Sequence, residues 1–330
     1  MNKSILLIGL IITMSLAGCT SPDESIEEVE VETVEFDDDP CTWFKGRSAD
    51  LNGSSHSHAM DMDNSTNGMN NTAMGMSHAP IEVGHNQSMP CVKITLYPDT
   101  LSGFNIHIET TNFTFAPTHV STEHIMGEGH AHVYVNGTKV ARAYTNWLHL
   151  PMVGNGSMVM VELNANSHAP YSHHGIQIMD EIMVGHDAMH MNNSGNHSTN
   201  HSDQMNNTSS HGDVNASTTS PPSVSIESVT VDPKTANSSS QTHIIEISVE
   251  NFTFSPMMAG MDHVDGQGHA HYYLNGEKLG RLYGNAFDVS GLTEGNHTLM
   301  ISLNSNHHGQ YVLNGEPVMV EITLTVPVTE

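Results

Sequence analysis

The sequence predicts an all-β fold made of two tandem copies of one β-sandwich domain, accompanied by disordered His/Met-rich linkers. Three observations carry this expectation. A stretch of roughly 90 to 100 residues occurs twice. Each occurrence breaks into short alternating strands with turn residues between them and no convincing helical pattern. The segments outside the repeat hold too few large apolar residues to bury a core.

The repeat is read directly. Asn112-Phe113-Thr114-Phe115-Ala116-Pro117 returns as Asn251-Phe252-Thr253-Phe254-Ser255-Pro256, and Gly129-His130-Ala131-His132 returns as Gly268-His269-Ala270-His271. From Asn112 to Asn146 an offset of 139 holds without a gap, and 18 of 35 positions are identical. After a one-residue insertion, Leu163 to His168 matches Leu303 to His308. Val133 to Val135 and Val140 to Arg142 flank Asn136-Gly137, a strong hairpin signal, and Asn275-Gly276 repeats it. A two-residue loop there would set Ala141 opposite His132 and Gly280 opposite His271. Val159 to Leu163, Met300 to Leu303 and Val318 to Val326 alternate as further strands.

These features resemble Ig-like or cupredoxin-like sandwiches. The Phe-x-Phe-x-Pro segment is similar to one in cupredoxins, but their Cys-His-Met copper-ligand loop is absent, so the resemblance implies a sandwich and not electron transfer. The chain divides into a signal peptide (1–18), a lipidated Cys with an acidic tether (19–51), a Met/His-rich segment (52–90), the first sandwich (91–184), a Met/His-rich linker (185–222) and the second sandwich (223–330).

The amino terminus has Lys3, the apolar run Ile5 to Ile12 and then Leu16-Ala17-Gly18-Cys19. Those last four residues resemble the bacterial lipoprotein cleavage box. The resemblance implies a lipid on Cys19 and a chain anchored to the outer face of the cell membrane or in the periplasm. Asp23 to Asp39 holds ten acidic residues in seventeen and no cation, which reads as a solvated tether. With Cys19 lipidated, Cys41 and Cys91 are the pair left to form a disulfide in an oxidising compartment. Sixteen Asn-x-Ser/Thr acceptors after the signal suggest a glycoprotein, although Asn/Ser/Thr-rich linkers generate some of them locally.

Lys plus Arg number 9 against 36 Asp plus Glu, a formal charge of −27, which excludes nucleic acid as a partner. The unusual donors are 25 His and 22 Met beside 3 Cys. In the linkers they include His56, His58, Met60, Met62, Met74, Met76 and His78, then His186, Met189, His190 and Met191. Thioethers suit Cu(I), whereas imidazole accepts Cu(I), Cu(II) and Zn, so the mixture points to copper, with zinc as the alternative ion. Such tracts resemble the Met/His-rich segments of copper-handling envelope proteins; the bland alternative is low-complexity drift.

Within the domains four His are retained through the duplication: His124 with His263, His130 with His269, His132 with His271 and His168 with His308. His130 and His132 would project from one face of a strand, with His124 and His168 completing a metal site. The competing readings are a solvated His-Ala-His face or structural histidine cluster, and recognition of some other ligand. The retained Lys139/Lys278, Arg142/Arg281 and Tyr144/Tyr283 read as structural, their cations pairing with local carboxylates. No Gly-x-Ser-x-Gly, phosphate-binding glycine loop or His-Glu-x-x-His occurs, so the chain leans away from an enzyme.

The expectation is therefore a lipid-anchored extracytoplasmic protein that collects copper for buffering, detoxification or transfer to a metal-accepting protein. A glycosylated adhesion or structural lipoprotein, and a metalloenzyme using the His-x-His sites, are the alternatives.

Overall fold

The computed structural model describes residues 79–84, 87–100, 102–185 and 212–328. The signal peptide, Cys19, the acidic tether, Cys41 and the linker donors His56 to His78 and His186 to Met191 lie outside the described residues.

Among the described residues there is no α-helix, and each copy contains eleven strands. In the first copy these are β1 (Ile81–Glu82), β2 (Cys91–Pro98), β3 (Phe104–Thr111), β4 (Thr114–Phe115), β5 (Glu128–Val135), β6 (Thr138–Ala143), β7 (Trp147–Leu150), β8 (Met158–Ala165), β9 (Tyr171–His173), β10 (Ile176–Gln177) and β11 (Met179–Met183). The second copy repeats them as β12 (Val214–Asn215), β13 (Ser223–Val231), β14 (Ser240–Glu250), β15 (Thr253–Phe254), β16 (Gln267–Leu274), β17 (Glu277–Leu282), β18 (Ala286–Thr293), β19 (Gly295–Ser305), β20 (Tyr311–Leu313), β21 (Glu316–Pro317) and β22 (Met319–Val326).

Each copy is a β-sandwich. A three-stranded sheet, β2-β3-β7, faces a larger one, β11-β8-β5-β4 with β6 also on β5; β13-β14-β18 and β22-β19-β16-β15 with β17 repeat the order. Alternation drives the closure. Ile94, Leu96, Ile106 and Ile108 from one sheet meet Ala131, Val133, Val159, Val161 and Leu163 from the other in a single apolar cluster. Ile245, Ile247, Phe287, Ala270, Leu299, Ile301 and Leu303 repeat it. Each fully buried Leu, Ile or Val contributes on the order of 1.5–3 kcal/mol.

Two expectations are corrected. The ordered copies begin before Cys91 and Ser223, inside the segments read as disordered linker. Ile81–Glu82 pairs in parallel with Tyr171–Ser172, and Val214–Asn215 pairs in parallel with Tyr311–Val312. Val83 and Val214 are buried there, so a few apolar residues at each linker's end suffice to dock it onto the sandwich. The second correction concerns register. The hairpins form as expected, with positive φ at Asn136, Gly137, Asn275 and Gly276. A bulge then adds Val140 to β6 and Leu279 to β17, so Arg142 rather than Ala141 sits opposite His132, and Arg281 rather than Gly280 opposite His271.

Cys91 opens β2, is buried, and forms a disulfide whose partner lies outside the described residues. None of the described helical segments is long and apolar enough to cross a membrane.

The two copies pack with reciprocal contacts. Arg142 of the first pairs with Asp232 of the second at 3.3 Å, and Arg281 of the second pairs with Asp99 of the first. Both Asp side chains are fully buried and both follow the first long strand of their copy, so the contacts are related as by a two-fold axis. Val120 and Tyr144 of the first copy pack on Ile244 and Ala286 of the second, and the Asn105 amide donates to the Pro256 carbonyl at 2.8 Å. The expected structural role of the Arg residues holds, with the carboxylates supplied by the opposite copy.

Replacing Asp99 with Asn keeps the turn but leaves the Arg281 guanidinium buried without its counter-charge. The expected loss is about 3 kcal/mol, read as a lowered urea midpoint. A loss below about 1 kcal/mol would show that the packing of the copies does not depend on this pair.

Candidate metal centre

His130 and His132 lie on β5, two residues apart, so their rings share the face opposite Ala131 and Val133. That face is the outer one of the sandwich, yet His130 is 1% and His132 8% exposed. It is covered by the loop after β8, by Tyr144, whose ring lies 5.7 Å from that of His130, and by Arg142 with its Asp232 partner. The solvated reading of His-Ala-His therefore fails at this position.

His168 arrives from the loop after β8. The turn is closed by its own N–H to the Ala165 carbonyl at 2.9 Å, and the Ser121 N–H donates to the Asn166 carbonyl at 2.7 Å. The Asn164 amide reaches the His168 carbonyl at 3.4 Å. His168 has φ of 67° and His308 φ of 72°, the left-handed region that costs a side-chain-bearing residue roughly 1–2 kcal/mol. Both copies hold this strain, with Asn304 on the His308 carbonyl at 3.2 Å and the Gly260 N–H on the Asn306 carbonyl at 2.7 Å. Gly129 and Gly268 serve the same approach: a Cβ on either would collide with the carbonyl of Asn164 or Asn304 across the strand pair.

Three nitrogens converge as a result. His130 Nε2 lies 3.0 Å from His132 Nε2 and 3.1 Å from His168 Nδ1. In the second copy His269 Nε2 lies 3.0 Å from His271 Nε2, and His308 completes the group. Within each triad one nitrogen per ring lies within 4.8 Å of the others. Around an ion bound at ~2.0–2.1 Å such ligands stand roughly 3.3–3.5 Å apart, so the pairs at 3.0 and 3.1 Å need to spread by only a few tenths of an ångström.

The electrostatics favour neutral imidazole. Burial, then the neighbouring imidazoles and Arg142, hold His130 well below its ordinary value. Burial, then Lys139 and Arg142, push His132 down to about 2, and burial followed by Arg142 brings His168 to about 4. His269 is held well below the ordinary range, and His271 falls to about 2, by burial first and the Lys278 and Arg281 cations after. His130, His132, His168, His269 and His271 are thus held unprotonated, the form that binds a metal. Burial, with the neighbouring guanidinium next, also lowers Lys139 and Lys278 to about 8, and Lys278 Nζ sits 3.0 Å from His271 Nε2.

Of the predicted quartets the structure brings together His130, His132 and His168, and His269, His271 and His308. It does not bring in His124 or His263. Their rings pack against Tyr171 and Tyr311 at 5.6 and 5.7 Å, which accounts for their retention by packing instead of ligation. Sequence reasoning missed several neighbours. Ser121 Oγ lies 2.7 Å from His168 Nε2, and Glu162 Oε2 lies 4.0 Å from His132 Nδ1. Asp232 and Asp99 come from the opposite copy, as does His149, which stands near the second triad and is lowered to about 4 by burial and then Arg281. Asn164 and Asn304 were visible as retained positions; the cross-copy groups had no such signal.

No protein-family model matches the chain, and no curated protein matches it. Among solved structures it is similar to the central fibronectin-III array of RIM-binding protein, at 12% identity and a TM-score of 0.20, covering 72% of this chain and 69% of that one. It is also similar to the fibronectin(III)-like modules of Clostridium thermocellum CbhA, at 10% identity and a TM-score of 0.21, covering 73% and 95%. Likenesses at this level carry no argument about function.

The depressed imidazoles fix a pH dependence for the metal-free chain. They are neutral when folded and take up protons on unfolding below their ordinary value of 6.5. Their contribution is therefore whole above pH 6.5 and is lost as the pH falls from there toward about 4, at ~1.4 kcal/mol per pH unit for each imidazole. Urea midpoints measured across that window should fall steeply, and less steeply in His130→Ala/His132→Ala. Equal slopes would contradict the assigned neutral state.

Proposed function

We propose that the chain binds one transition-metal ion at each His triad, copper above all, and collects copper outside the cytoplasm for buffering, detoxification or transfer to an accepting protein. The observation that carries this reading is the recurrence, in two copies that have diverged at half of their best-aligned positions, of the same three buried imidazoles with nitrogens converging on one point. A hydrophobic residue would fill such a position at less cost, since burying a polar ring needs a compensating partner. Three neutral nitrogens and no thiolate suit cuprous or cupric ion; zinc, which takes a fourth ligand, is the alternative.

The Met/His-rich segments fit the same role as exchangeable donors. Spacings such as Met60-x-Met62, Met74-x-Met76 and Met189-His190-Met191 let one ion engage two or three donors on a flexible chain. The formal charge of −27 would raise the local cation concentration. Lipidation of Cys19, glycosylation and placement on the outer face of the membrane belong to this proposal and rest on the amino-terminal signal and the acceptor motifs.

The test is the metal content of the chain from Thr20 onward, purified without chelator from medium supplemented with copper and zinc. A chain carrying His130→Ala, His132→Ala, His269→Ala and His271→Ala should lose two copper ions and keep only what the linkers bind. Unchanged content, or none in either protein, would overturn the proposal.

A further inference from the structure

The ligands of the two triads are equivalent, but their surroundings have diverged. Behind the first, a buried carboxylate stands beside His132: Glu162, held by the Tyr134 hydroxyl at 3.3 Å and the Asn164 amide at 3.3 Å. Ser121 Oγ meets the outer nitrogen of His168 at 2.7 Å. In the second copy Ser302 replaces Glu162 and turns its hydroxyl to the Asn304 side chain at 3.1 Å, while Gly260 replaces Ser121.

The opposite copy contributes unequally as well. To the first triad it brings Asp232, Asp288 and Lys234 around Arg142 and Lys139. To the second it brings Asp99 and, at the position equivalent to Asp288, the neutral ring of His149, around Arg281 and Lys278. Among the described residues three carboxylates thus face three cations at the first site, whereas one faces two at the second. Glu162 Oε2 stands 4.0 Å from His132 Nδ1, beyond hydrogen-bond length, and acts there through its charge; where such a carboxylate closes onto the outer nitrogen of a ligating imidazole it raises the ligand's basicity and fixes its tautomer, and losing it costs roughly 10–100-fold in metal affinity. Around a buried ion the missing negative charges weigh more on a doubly charged metal than on a singly charged one.

We infer that the first triad is the tight site for a divalent ion and the second a weaker site whose preference is shifted toward singly charged cuprous ion, with Glu162 as the residue that sets the difference. This rests on the proposal that the triads bind metal, and it assigns them separate tasks, one holding and one exchanging.

The test uses the full chain from Thr20 with one triad disabled at a time, His269→Ala/His271→Ala leaving the first and His130→Ala/His132→Ala leaving the second. Binding by the chain with both disabled is subtracted as linker background. Zinc(II) and copper(I) are titrated against competing chelators. The expected result is at least ~10-fold tighter zinc binding at the first site, with the ratio for copper(I) reduced to about 3-fold or less. Glu162→Gln should lower zinc affinity at the first site toward that of the second. Ser121→Gly, which restores the residue the second copy carries at a similar positive φ, should lower it further. Equal zinc affinities at the two sites, or a Glu162→Gln chain that binds zinc as before, would overturn the inference while leaving metal binding intact. No binding above the doubly disabled background would instead remove the reading on which it rests.

Discussion

Burial of the outer face of β5 and β16 is the constraint on which the rest of this structure depends. A sandwich strand ordinarily turns one row of side chains to the core and the other to water. Here both rows are buried, because each copy lays its hairpin and adjoining strand against the other, and imidazoles occupy the row that would have been wet. A buried imidazole must shed its charge, and three of them with nitrogens within 4.8 Å of one another, some pairs as close as 3.0 Å, could not all be protonated. The lone pairs that remain are what a metal ion would use.

The same packing explains where the scarce cations went. Lys139, Arg142, Lys234, Lys278 and Arg281 are five of the nine in the whole chain, and all lie beside the triads and the face between the copies. The two Arg residues are offset by buried Asp residues from the opposite copy. Such pairs stabilise little against an apolar alternative, but leaving one partner unpaired is costly, so they act chiefly to fix how the copies meet. They also place each triad in a field set by both copies, and that is how two triads of identical imidazoles acquired different surroundings.

Much of the fold was legible in the sequence. The hairpins at Asn136-Gly137 and Asn275-Gly276 followed from a pair of residues that tolerate positive φ, and the sandwich followed from alternation within a repeat. What failed had definite physical causes. The bulge at Val140 and Leu279 shifted the register by one, which no turn rule reveals, and it brought Arg142 and Arg281 opposite His132 and His271. Retention through duplication identified three of the four His in each site correctly as neighbours, but the same retention arises when a ring packs on a buried tyrosine, as His124 does on Tyr171. Glu162 and Ser121 escaped notice because the second copy lacks them, so the comparison that exposed the shared histidines concealed what distinguishes the two triads.

The loop at His168 and His308 holds the third imidazole of each triad in an unfavourable backbone conformation. A left-handed backbone at a histidine is unfavourable, and in both copies an Asn side chain and a backbone amide hold it in place. The most direct measurement is anomalous diffraction at the copper edge from crystals of the copper-loaded protein. The account predicts two peaks related by the reciprocal packing of the copies, each within ~2.0–2.1 Å of one nitrogen of His130, His132 and His168 or of His269, His271 and His308. Copper found only elsewhere, with both triads collapsed and hydrogen-bonded to one another, would contradict it.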